Sequence, residues 1–439
     1  MAHPRPFRSL SPSDSLDQLR RHVADLLPQR GLPLIDRARR WSDRLLVLGA
    51  VLMCWGAGPA LHDRFALARS CLVQLYPSRR RPGGGYGGFI DRLVRHSGRL
   101  LGVVARSLRG VLIERAGGHW RTAGFVVFGV DGTKISVPRT DANLADFEVA
   151  SRTHAGPEML LTCLFHLATR SLWSFRHDKA KGSERGLLQQ MLPDLPNDSL
   201  VVADAGFVGW NTITALIDAG QHFVIRAGAN VNLITRLGGH VRRDYDGIVH
   251  LWPERKRQKN VPPVVLRRLL VRDRRGREMC LLCNVLDTER LDDATILKLY
   301  AARWGVEVAY RWLKHTLAGR KMLSTSPAHA RVELDWTMIG LWMLTLLALS
   351  ERTIRDGLSL ATALRAIREA MTHRHRRRRR TPLAARLLAA CTDGYRRRRP
   401  KSKRHWPRRA RIHRCKLPSA RTATPREIAK YQAILANAA

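Results

Sequence analysis

Tyr300, Arg303, Glu307 and Lys314, spaced Y-AA-R-WGV-E-VAYRWL-K, place a phenol, a guanidinium, a carboxylate and an ammonium within one short segment. At about 100° per residue of an α-helix the four fall within a sector of about 60°, so a single helix face carries them all. A carboxylate in that setting can hold a metal ion while the neighbouring cations hold phosphates. Taken alone, the spacing is met equally by a solvated helix face with an Arg303–Glu307 pair at i, i+4.

Two acids upstream add weight to the first reading. The apolar and β-branched run Phe125 to Val130 leads into Asp131 and Gly132, which predicts a buried strand delivering a carboxylate at its end. Leu200 to Ala203 leads in the same way into Asp204, after which Ala205-Gly206-Phe207 turns the chain into a helical pattern over Ile213 to Ala219 that Gly220 can cap. A rigid strand fixes such a side chain and the following loop leaves it accessible, although a strand-terminal Asp also serves as an ordinary turn or N-cap residue. Two strand carboxylates and one helix carboxylate can together hold two Mg²⁺ ions about 3.5–4 Å apart, the arrangement that activates water and stabilises the leaving oxygen in phosphodiester displacement. Hard oxygen ligands favour Mg²⁺ or Mn²⁺ over zinc.

The pattern Y-x2-R-x3-E-x6-K, matched by Tyr300, Arg303, Glu307 and Lys314, resembles the signature of the bacterial DDE transposases of insertion sequence family four. Val130-Asp131-Gly132-Thr133 resembles the first-Asp box of that family and Ala203-Asp204-Ala205-Gly206-Phe207 its second. The text LIDAGQHFVIRAGANVNL is similar to the strand that follows, which puts Arg226 near the site. The resemblance runs from about Phe125 to about Ser350, roughly half of the chain.

The resemblance implies an α/β fold: an RNase H-like mixed sheet flanked by helices, with a β-rich insertion before the Glu helix and a helical N-terminal domain. It implies a catalytic, metal-holding triad of Asp131, Asp204 and Glu307, with Asp131 bridging two Mg²⁺ ions (Mn²⁺ able to substitute) and the other two acids each completing one coordination sphere. Arg303 and Lys314 would clamp DNA phosphates and Tyr300 would position the backbone. The chemistry implied is strand cleavage by water and strand transfer by a 3′-hydroxyl. The partners implied are double-stranded DNA, as terminal inverted repeats and target, and a second copy of the chain in a synaptic homodimer. Two alternatives stay open: a nuclease with the same triad that cuts without joining, and a non-catalytic DNA-binding relic of a mobile element. An RNA-binding basic protein would leave the acids unexplained.

The corresponding division of the chain is 1–120, a helical DNA-end-binding domain; 121–228, the first part of the core; 229–290, the insertion; 291–370, the Glu helix and its packing helices; and 371–439, a basic tail. The gap of about a hundred residues between Asp204 and Glu307 exceeds any ordinary connection and contains strand-like runs at Gly247 to Trp252, Pro263 to Arg272 and Glu278 to Leu286. It also carries ERKRQKN at 254–260, readable as a DNA-facing run or as a solvated loop. Family members that cut through a DNA hairpin set an aromatic residue of the insertion against a flipped base. Trp252 is the only Trp of this insertion, but it lies further from Glu307 than the family's aromatic does, and a packed role in the β core is the alternative.

Composition is consistent with a polyanionic partner. The formal net charge is +41, and His373 to Lys416 holds nineteen lysines and arginines against one acid, Asp393. Such a charge favours nucleic acid through counterion release, and the segment predicts a flexible phosphate-binding tail. The N-terminal part predicts helices at Ser15 to Leu27, Ile35 to Trp55, Leu61 to Leu75 and Phe89 to Leu112. The glycine-rich break Ser78 to Gly88 lacks the Lys-Ser/Thr end of a phosphate-binding loop.

Seven cysteines without paired spacing point to a reducing compartment, and Cys280-x-x-Cys283 lies in a strand-like run with no second pair for a zinc site. The amino terminus has no apolar signal region. Leu45 to Leu61 and Trp336 to Leu349 fall short of a membrane span and read as buried helices. The expected location is therefore cytoplasmic, at the nucleoid.

Overall fold

The structure is a computed structural model that describes residues 12–28, 30–34, 40–77, 81–149, 156–238, 247–272, 276, 278–372, 381–392 and 417–437. The run Ser78 to Arg80 of the glycine-rich break, and most of the basic segment between 373 and 416, lie outside the described residues.

Four helices come first: α1 (Pro12–Ala24), α2 (Asp43–Trp55), α3 (Leu61–Leu75) and α4 (Tyr86–Ala116). The core then runs β1 (Val126–Ser136), α5 (Asp141–Phe147), β2 (Glu158–His166), β3 (Ser171–Lys179), α6 (Glu184–Met191), β4 (Ser199–Ala203), α7 (Trp210–Asp218) and β5 (His222–Ala227). Next come β6 (Asn232–Thr235), β7 (Ile248–Leu251), α8 (Glu254–Gln258), β8 (Val264–Arg272) and β9 (Glu278–Cys283). The remainder is helical apart from one strand: α9 (Asp293–Ala302), α10 (Trp304–Arg311), a π-helical turn (Trp312–Thr316), α11 (Pro327–Leu347), α12 (Glu351–Asp356), α13 (Leu360–Thr372), α14 (Leu383–Leu388), β10 (Ser419–Thr422) and α15 (Pro425–Ala436).

The ten strands of the described residues form one sheet in the order β10-β6-β7-β8-β9-β5-β4-β1-β2-β3. Its β3-β2-β1-β4-β5 portion pairs the first three strands antiparallel and β4 and β5 parallel to β1. That is the RNase H-like mixed arrangement. The apolar runs make the strands: every residue of β2 and β4 is buried, as expected of strands covered on both faces.

The insertion does not build a separate sheet. β9 pairs antiparallel with β5, and β8, β7, β6 and β10 continue outward from it. Residues 417–437, assigned from sequence to the basic tail, return as β10 and α15. β10 pairs parallel with β6, and Ile234, Leu237, Trp252, Ala423 and Tyr431 bury a small second core.

The helices of the N-terminal part share the main hydrophobic core with the sheet through the apolar helix α11. Trp55 donates its indole N–H to the Gly340 carbonyl at 2.9 Å, and Trp336 donates to Ser97 Oγ at 2.9 Å. Each indole thereby satisfies its one polar group inside a helix–helix contact. Among the described residues no helix is long and apolar enough to cross a membrane.

Candidate active site

β1 does not stop at Asp131, as the apolar run predicts, but continues to Ser136. Its parallel ladder with β4 ends at the Gly129–Val202 pair, whereas antiparallel pairing with β2 goes on to Ser136. Asp131 therefore stands in mid-strand just where one neighbour falls away, which opens the sheet beside it. Asp204 follows β4 directly at the same level. There its Oδ1 accepts the Gly206 N–H at 2.7 Å, holding the turn toward α7.

Successive β1 side chains alternate between faces. Gly129 and Gly132, three residues apart, thus open to opposite sides. A β-carbon on Gly129 would lie 2.7 Å from Val306 Cγ2, so only glycine lets α10 pack this close. A β-carbon on Gly132 would collide with the Glu184 carboxylate at the start of α6. Asp131 and Thr133 share the Gly129 side, facing the Glu307 helix.

That helix is not the single continuous one its spacing predicts. The Arg303 N–H is shared between the carbonyls of Leu299 at 3.2 Å and Tyr300 at 3.3 Å, and Val306 N–H bonds Arg303 O at 2.9 Å, tightening the backbone where α9 passes into α10. A π-helical turn follows, with Lys314 inside it and the Leu317 N–H bonded to Trp312 O at 3.0 Å. The four signature side chains nonetheless gather on one side. Arg303 Nη1 lies 3.9 Å from Asp131 Oδ2, and Arg303 Nη2 lies 3.6 Å from Glu307 Oε1. One guanidinium thus sits between two carboxylates at ion-pair range, too far for short hydrogen bonds. It is 14% exposed, its Nε has no partner, and it lies over the Tyr300 ring at 5.7 Å from the centroid. The Tyr300 hydroxyl meets Arg226 of β5, which the sequence places near the site, and burial pushes the phenol up. Lys314 Nζ donates to Thr133 Oγ1 at 2.6 Å, and burial lowers its pKa.

Burial also governs Asp131. Its carboxyl is pushed from 3.8 up to about 6 by desolvation, against the pull of the Gly132 N–H and Arg303, and Asp204 and Glu184 add like-charge repulsion. The Asp131 carboxylate is thus held where water solvates its charge poorly, and that loss outweighs what Gly132 and Arg303 return.

Three residues at the site escape a reading of the sequence. Tyr310 is buried and donates its hydroxyl to the Asp131 carbonyl oxygen at 2.6 Å, pinning α10 to β1 at the residue that bears the carboxylate. Three residues past Glu307, it has the signature of any core aromatic. Glu184 is the first residue of α6, behind the Ser183 cap, where an acid is ordinary. Trp304, beside Arg303, is 58% exposed. Trp252 takes the packed alternative: it is 3% exposed, donates Nε1–H to Val261 O at 2.7 Å and packs edge-on to Tyr431. It offers no free ring face to a base. Cys280 and Cys283, three apart in β9, point to opposite sides of the sheet.

The RNase H-like sheet thus places two carboxylates where β1 and β4 part, and a third on the helix packed across β1. The chain belongs to the Transposase DDE domain family, whose model matches residues 123–343. It is 28% identical over 227 residues to the transposase InsG for insertion sequence element IS4 of Escherichia coli (strain K12), covering 49% of this chain and 49% of that protein. It is 29% identical over 152 residues to the putative transposase y4zB of Sinorhizobium fredii (strain NBRC 101917 / NGR234), covering 34% of this chain and 42% of that protein. The chain thus spans about half the length of the relatives it matches or less. Among solved structures it is similar to the piggyBac transposase synaptic complex with hairpin DNA, determined by cryo-EM, with a TM-score of 0.39 at 9% identity over 89% of this chain and 84% of that one.

Proposed function

We propose that this chain cuts DNA at the ends of an insertion sequence and joins the cut ends to new DNA, using Asp131, Asp204 and Glu307. The observation that carries the reading is the meeting of Asp131 and Glu307 across a single guanidinium, with Asp204 on the adjoining strand end.

The donor set suits Mg²⁺ or Mn²⁺: the carboxylates are hard oxygen ligands, and Asp131 is a half-buried carboxylate with Asp204 and Glu184 near enough to repel it. Among the described residues no three acidic, His or Cys side chains converge closely enough to cage a metal, and Arg303 lies between Asp131 and Glu307. A cation held by both Asp131 and Glu307 would displace this guanidinium. Asp131, Asp204 and Glu307 would hold two ions, which supply Lewis-acid activation of a water or 3′-hydroxyl and charge stabilisation of the leaving oxygen.

The protein's own groups do the rest. The Gly132 and Gly206 N–H bonds orient the two aspartates before any ligand arrives. The displaced Arg303 turns its fork to a phosphate, Lys314 supports a second, and Arg226 with Tyr300 steadies the backbone. Trp304 offers a base an exposed stacking face. The domain boundaries above, end recognition by the N-terminal helices and a synaptic homodimer belong to the same proposal.

The test is Mg²⁺-dependent cleavage and joining of labelled duplexes carrying the DNA that flanks the coding region. Cleavage followed by 3′-end joining is the expected result. Cleavage without joining would indicate the nuclease alternative, and binding without cleavage in Mg²⁺ or Mn²⁺ would defeat the catalytic reading.

A further inference from the structure

A carboxylate outside the expected triad lies against the site. Glu184 opens α6, and its carboxylate fills the space that a Gly132 side chain would take. Its Oε2 is 3.7 Å from where a β-carbon on Gly206 would stand, and Asp204 Oδ1 is 2.9 Å from the same point. Gly132, in mid-strand of β1, therefore leaves room for this acid, and the turn at Gly206 after β4 lies within van der Waals reach of it.

Its surroundings do not explain it as a structural ion pair. Among the described residues no hydrogen bond or salt bridge reaches Glu184; Lys134 and Arg185 are close enough to be felt, and Arg185 spends its Nε–H on the Gly206 carbonyl at 2.7 Å. Burial and the neighbouring Asp204 both raise its pKa. A half-buried carboxylate held beside two others, with no partner of its own, is costly unless a cation joins them.

We infer that Glu184 is a fourth carboxylate of the active site, acting beside Asp204 to hold the divalent metal on the α6 side of the sheet. It reaches the site over Gly132, from the face opposite Glu307, so the metal site is closed from both faces. The inference rests on the reading that Asp131 and Asp204 bind metal, and the experiment separates the two.

Mn²⁺ binding to the full chain without DNA is measured at pH 8 by electron paramagnetic resonance of the free ion. Wild type, Glu184→Gln, Glu184→Asp, Asp131→Asn, Asp204→Asn and the remote control Glu278→Gln are compared, with folding checked by circular dichroism. Glu184→Gln should weaken binding about tenfold, Glu184→Asp should fall between it and wild type, and Glu278→Gln should match wild type. Unchanged binding in Glu184→Gln with loss in the two aspartate variants would overturn this inference and leave the proposed function standing. Unchanged binding in all of them would overturn both. Should Glu184→Gln not fold, Glu184→Asp decides: affinity equal to wild type with the carboxylate drawn back from Gly206 refutes the role.

Discussion

Neutralising Asp131 should stabilise the metal-free protein, although it removes a carboxylate proposed to hold the metal. The Asp131 carboxyl lies at about 6 in the fold, against 3.8 for an unhindered one, because burial outweighs Arg303 and the Gly132 N–H. A folded-state value raised above the unfolded one means that the ionised group opposes folding. The sign follows the proton: above about pH 6 Asp131 is charged in both states and the full penalty is present. As pH falls from 6 toward 3.8 the folded chain takes up the proton first and the penalty fades. Below that range both states are protonated and nothing remains. The displacement corresponds to about 3 kcal/mol. The side chain is 21% exposed, so solvent screening lowers the expectation to about 1–3 kcal/mol. In Asp131→Asn the amide oxygen still accepts the Gly132 N–H, so the loss is confined to charge. Urea unfolding in the presence of a chelator should show the Asn variant more stable at pH 8 and level with wild type near pH 4. Equal stability at pH 8, or a less stable variant, would refute the reasoning.

Other consequences are as specific. Tyr310→Phe leaves the Asp131 carbonyl without its buried donor and should lower stability by about 1–2 kcal/mol, while slowing strand cleavage more than DNA binding; equal effects on both would argue against a positioning role. Arg303→Ala should tighten Mn²⁺ binding in the absence of DNA, because the competing guanidinium is gone, yet weaken binding to duplex ends; looser Mn²⁺ binding in titrations would contradict the displacement. Removing residues 417–439 should uncover Trp252 and red-shift the tryptophan emission, whereas an unshifted spectrum would mean that α15 is not its cover.

Local pattern was enough for many elements. α3 spans the same Leu61–Leu75 that its periodicity predicts, and β7, β8 and β9 begin and end within a few residues of their apolar runs. What escaped the sequence is what depends on distant chain. β10 pairs with β6 through Ser419 and Asn232, and no local pattern links those two positions. The sector argument over Tyr300 to Lys314 assumes an unbroken α-helix, and the tight backbone at Arg303 and the π-turn under Lys314 are set by packing onto β1. The three acids and the signature cations stood out through the two Asp boxes and the Y-x2-R-x3-E-x6-K spacing taken together, since each strand-terminal Asp alone reads as a turn residue. Glu184 and Tyr310 did not, since one looks like a helix cap and the other like core, and only the close approach at Gly132 and the bond to the Asp131 carbonyl set them apart.

The claim that Asp131, Asp204 and Glu307 hold the metal is tested most directly by exchanging ligand softness. Cleavage of labelled end duplexes is measured for Asp204→Cys and Glu307→Cys in Mg²⁺ and in the more thiophilic Mn²⁺. Loss of cleavage in Mg²⁺ with partial recovery in Mn²⁺ is the expected result. Undiminished cleavage by Glu307→Cys in Mg²⁺ would contradict it.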